Sequence, residues 1–188
     1  MFRFIALAAL SFTVIASTAV LAQDVAPEDV LPPVSALQGE WTLEAANVEP
    51  RDPLAMSQLT AGVYLGPQGS RATVLVAQVQ EGPLAAQKTW RLMRRALDNT
   101  KTTVSVESDS RDLPLVSGCT EMERLTGVDR VIAAVPVGMS LCATDSGSVV
   151  LAYVSGELND LSGAEASDAL VELVLSQSQV PKATPVAS

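Results

Sequence analysis

The chain has no histidine. Imidazole is the side chain that titrates near neutrality and the commonest zinc ligand. Its absence excludes Ser-His and Cys-His catalytic pairs and most transition-metal centres. Cysteine is nearly absent as well, with only Cys119 and Cys142, too few soft ligands for a closed metal site. Lysine occurs at Lys88, Lys101 and Lys182 alone, and none stands three residues after a serine, so a Ser-x-x-Lys nucleophile is missing too. The glycine-rich stretches "GPQGS" and "DSGSV" do not run on into a Gly-Lys-Ser/Thr helix start or a dinucleotide fingerprint. No cofactor and no metal is expected. Positive charge is scarce, at 12 Lys+Arg against 21 Asp+Glu for a net −9, which disfavours a nucleic-acid partner.

Long apolar runs are missing everywhere except the N-terminus, "MFRFIALAALSFTVIASTAVLAQD". One cation (Arg3), an apolar stretch broken by Ser11, Thr13, Ser17 and Thr18, and small residues at Val20 and Ala22 give the layout of a cleaved export signal over 1–22. Position 23 is Gln rather than the Cys that lipid attachment would need, and no twin arginine precedes the run, which favours the Sec route. Removing 1–22 takes away Arg3 and no acid, so the net charge moves from −9 to −10. The expected product is a periplasmic or secreted protein with no integral membrane span after cleavage.

The remainder divides by composition. Residues 23–36, "QDVAPEDVLPPVSA", hold three prolines and three acids without periodicity and read as an acidic Pro-rich tether. Residues 180–188 read as a flexible tail, leaving one domain over 37–179. Two helices are signposted within it. In "GPLAAQKTWRLMRRALDN", Gly82 can cap and Pro83 suits the first turn. Ala86, Trp90, Met93 and Leu97 form an apolar stripe, and Asn99 is placed to end the helix. In "LSGAEASDALVELVLSQS", Ser162 and Glu165 form a capping box. Ala166, Leu170, Leu173 and Val174 face inward, with Asp168 and Glu172 towards water.

The other segments read as strands. "ATVLVAQV" and "SVVLAYVSG" are apolar on both alternating faces, as strands covered on two sides would be. "TTVSVES" alternates, with Val104 and Val106 inward. "EWTLEAA" opens the sheet with Trp41 in the core. "GPQGS" and "DSGS" make hairpins. Pro136 in "VIAAVPVGM" marks a strand end or a sheet edge. The fold class is α+β: a mainly antiparallel sheet packed by two helices. With "GEWTL" and "DALVELVLSQS" as its best text, this element order resembles the PsbP-like α/β/α sandwich over roughly 39–179. The resemblance implies a binding or assembly role and carries no functional residue across.

Three sets of side chains remain as candidates. Glu107, Asp109 and Asp112 lack the glycine bend of a calcium loop and read as a solvated acidic turn. Glu121 and Glu123 share one face of a strand. Cys119 alternates with Glu121 and Glu123, and Cys142 with Ser140 and Thr144, which puts each cysteine on the more polar face of its strand. In an oxidising compartment the two should pair as a structural disulfide; they lack the Cys-x-x-Cys spacing of a redox pair. Finally, Lys88, Arg91, Arg94 and Arg95 gather on one helix of an acidic protein. They form a candidate patch for an acidic periplasmic protein or envelope component. The function expected is that of a non-enzymatic accessory protein acting through protein contact. Alternatives are a carboxylate hydrolase of cell-envelope or sugar substrates and a thiol-redox protein.

Overall fold

A computed structural model describes residues 26–50, 52–53, 55–80, 83–100, 104–108, 114–130 and 135–178. The expected signal over 1–22, the tail from 180, Gly82 and the acids at 109 and 112 lie outside the described residues, as does the side chain of Glu107. The sheet runs through β1 (Thr42–Val48), β2 (Met56–Leu65), β3 (Arg71–Val79), β4 (Val104–Ser108), β5 (Cys119–Asp129), β6 (Pro136–Thr144) and β7 (Ser148–Ser155). Helix α1 (Pro83–Thr100) joins β3 to β4. After β7 comes a small hairpin of β8 (Glu157–Leu158) and β9 (Leu161–Ser162), then helix α2 (Gly163–Ser178). The strand order is β1-β2-β3-β7-β6-β5-β4, with every neighbour antiparallel.

The two runs that are apolar on both faces, β3 and β7, pair at the centre. Alternate residues of β7 enter two separate cores. Val150, Ala152 and Val154 pack with Ala166, Leu170, Val171 and Val174 of α2. Val149 and Leu151 pack with Met93 and Leu97 of α1. Successive strand residues point to opposite faces, so the two helices cover opposite sides of one sheet. The molecule is α+β in three layers, and it carries one disulfide.

Several local expectations shift. The segment 23–36, expected as a tether, is packed from Ala26 onward as a strap over β1 and β2. Leu31 is completely buried against Gly62, where a Cβ would collide with it. The Tyr64 hydroxyl donates to the Pro32 carbonyl at 2.7 Å. Burial pushes the Tyr64 phenol well above its ordinary range, and burial also raises that of Tyr153. The strap holds because apolar Leu31 interrupts its acidic, proline-rich text and Leu37, just beyond it, is buried in the same core.

On α1 the buried line is Ala85, Thr89, Met93 and Leu97, and Ala86 is exposed. Thr89 tolerates burial because its hydroxyl donates to the Ala55 carbonyl at 2.8 Å. The helix continues past Asn99 to Thr100. Val106 is 43% exposed on edge strand β4, whose register slips between Val106 and Ser108. Pro136 opens an interior strand, at the first residue, where no ladder donor is needed. Gly138 lies directly beneath the start of α2, and a Cβ there would run into the Gly163 carbonyl. That close approach seats the helix.

Candidate functional site

Helix α1 buries one stripe and presents the opposite one outward. Leu84, Lys88, Arg91 and Arg95 follow one another at spacings of four, three and four residues, so they form one ridge along the outer surface. All four are exposed, Leu84 at 71%. Arg94 turns down the flank towards β5.

The four candidate cations divide into two kinds. Arg94 Nε lies 3.0 Å from Glu123 Oε2, and Lys88 Nζ lies 4.0 Å from Asp52 Oδ2. Arg91 and Arg95 have no ion-pair partner among the described residues. The patch is therefore half neutralised by the protein's own acids and half open. Glu121 and Glu123 share the α1 face of β5 through register with Ala143 and Leu141. Glu121 is exposed, and Glu123 serves Arg94.

Cys119 and Cys142 form a disulfide with their Cα atoms 5.6 Å apart, within the ordinary span of such bonds. The face on which they meet differs from the expectation. Cys119 opposes Thr144 while Glu121 opposes Ala143, so the register shifts at Thr120. A one-residue slip moves every side chain before it to the other face. Cys119 therefore joins Met122 and Cys142 under α2, in the apolar core instead of on a polar surface. Cys142 is completely buried there, a setting that favours a staple over a thiol in exchange with solvent.

A polar network also lies under α2. Arg124, 3% exposed, donates through Nε to both Asp168 oxygens at 3.0 and 2.8 Å and through Nη2 to the Pro114 carbonyl at 2.6 Å. The buried Ser140 hydroxyl donates to Asp168, with the Ser167 hydroxyl 2.8 Å behind it. Asp168 thus points at the sheet, not at water as its place in the helix pattern suggested. The one available signal was Arg124 itself, alternating with Met122 on a strand face. Ser140 is sealed from solvent, and the cluster ties α2 to β5 and β6.

A cleft of about 300 Å³ lies at the β2–β3 hairpin. Gln38, Trp41, Ser70, Glu157, Asn159 and Asp160 are among its lining residues. Gln38 N–H donates to Asn159 Oδ1 at 2.7 Å and Glu157 N–H to Ser70 Oγ at 3.2 Å, which ties the three segments together. The two carboxylates here are both exposed, unlike the apolar pocket that holds a glycosidase general acid. Among the described residues no group of three or more potential ligands gathers for a metal ion, and no helix is long and apolar enough to cross a membrane.

Comparison with protein-family models, curated proteins and solved structures finds no match to this chain. The fold defines the class: an α+β protein with, among the described residues, a seven-stranded antiparallel sheet and two helices, and one disulfide.

Proposed function

We propose that the chain is an exported, non-enzymatic accessory protein that docks an acidic periplasmic protein or envelope component on the outer ridge of α1. The observation that carries this reading is the open pair Arg91 and Arg95, one helical turn apart on the ridge that begins at exposed Leu84, on a protein of net charge −9. Two arginines without an ion-pair partner, on a ridge that also carries an exposed leucine, fit a contact surface, where arginine is enriched and exposed charge steers encounter. The N-terminal text, the disulfide and the PsbP-like resemblance all run towards an exported binding role.

The test is capture from periplasmic extract with wild type and with Arg91→Glu/Arg95→Glu. The expected result is a stoichiometric acidic partner that wild type retains at low salt and releases at high salt, and that the double variant retains at least about tenfold less well. Equal capture by both proteins would falsify the reading.

A further inference from the structure

Among the described residues, α1 covers only part of its face of the sheet. The helix packs over β3, β6 and β7, and its core takes in Met56 at the start of β2 with Leu59 against it; beyond that, the same face of β1, the second half of β2 and the first half of β3 carries no described element. Register identifies the rows on this face. Thr42, Leu65 and Arg71 lie abreast across the three strands, as do Glu44, Val63 and Thr73, and then Ala46, Ala61 and Leu75. The middle column, on β2, is apolar throughout: Leu59, Ala61, Val63 and Leu65. Leu65 is 38% exposed and the other three are half-buried. The flanks are charged and of opposite sign. Glu44 stands on β1 and Arg71 on β3, both exposed and neither in an ion pair among the described residues.

That arrangement is self-complementary. A two-fold axis along β2 places the β2 column of one copy over the same column of the other, apolar on apolar. It carries β1 of each copy over β3 of its partner, so Glu44 of one copy comes above Thr73 of the other, one row from Arg71. Long side chains reach across one row. The two Glu44 side chains lie two strand spacings apart, about 10 Å, as do the two Arg71 side chains. Each contact therefore occurs twice, as an isologous interface demands. A partner of a single charge would satisfy only one flank.

We infer that the open α1-side face of β1, β2 and β3 is a homodimer interface, occupied by a second copy of this chain packed sheet against sheet. None of the residues placed in this contact lies on the outer ridge of α1, so self-association and partner docking are read by different variants.

The experiment is sedimentation equilibrium on the protein as its host processes it, over a dilution series, with thermal melts confirming that each variant is folded. The wild type is expected to sediment as a dimer that dissociates on dilution. Glu44→Arg alone and Arg71→Glu alone, each setting like charges against one another, are expected to weaken the dimer about tenfold or more. The double exchange Glu44→Arg/Arg71→Glu is expected to restore it, and Val63→Arg on the axis to abolish it. A wild type that stays monomeric at every concentration overturns the inference. So does a dimer that ignores both single reversals, or single reversals whose loss the double exchange fails to recover.

Discussion

Two arginines of this chain hold carboxylates in opposite surroundings. The Arg124 side chain is 2% exposed and its partner Asp168 19%, whereas Arg94 is 44% exposed and Glu123 20%. A buried guanidinium stripped of its counter-charge has no water to replace it, so removing one partner of a buried pair costs about 3–5 kcal/mol. An exposed pair is screened and contributes about 0–1 kcal/mol. Asp168→Ala is therefore expected to lower the unfolding free energy by about 3–5 kcal/mol in urea titration, and Glu123→Ala by no more than about 1 kcal/mol. Similar losses for the two variants would show that Arg124 reaches water on losing Asp168. The residue scale is also where the sequence misled most. Asp168 looked solvent-facing because helix periodicity ranks residues by polarity, and a carboxylate that finds a buried partner breaks that ranking.

Elements were more legible than residues, because α1 and α2 each carry a helical period and β3 and β7 are short unbroken apolar runs, which local sequence states on its own. What the pattern cannot state is how closely two elements approach. The α2 start lies against β6 at Gly138, where any side chain would meet the Gly163 carbonyl. A backbone oxygen cannot rotate away as a side chain can, so relief requires α2 to lift from the sheet. Gly138→Ala is expected to cost at least about 1–3 kcal/mol, the usual range for overpacking. The loss should be accompanied by faster amide exchange in the first turns of α2 but not in α1, and uniform loosening of both helices would contradict this view of how α2 is seated. The register slip at Thr120 belongs to the same scale. Alternation along "CTEMERL" put Cys119 with the glutamates, and only the pairing with β6 reveals the extra residue that turns it to Cys142.

At the scale of the molecule, the α+β class followed from the order of elements, while the strand order did not. The β3–β7 pairing joins residues such as Val76 and Val150 that are far apart in sequence, and no local rule names partners at that separation. The domain boundary escaped for a related reason. Residues 26–36 have the composition of a linker, yet a single leucine among them completes the core over β1 and β2. Leu31 has no exposed surface, and it fills the space that the missing side chain of Gly62 leaves. If the strap belongs to the fold, Leu31→Ala should cost about 2–5 kcal/mol, as truncating a buried leucine does. If it were a tether, the change would fall within about 0.5 kcal/mol, as at ordinary surface positions. The neighbouring exposed Val34 supplies the control in the same segment, since Val34→Ala should be nearly neutral in the same denaturation series. A large loss at Leu31 with little at Val34 would begin the cooperative unit before residue 37. Equal and small effects would return residues 26–36 to the linker that their composition suggests.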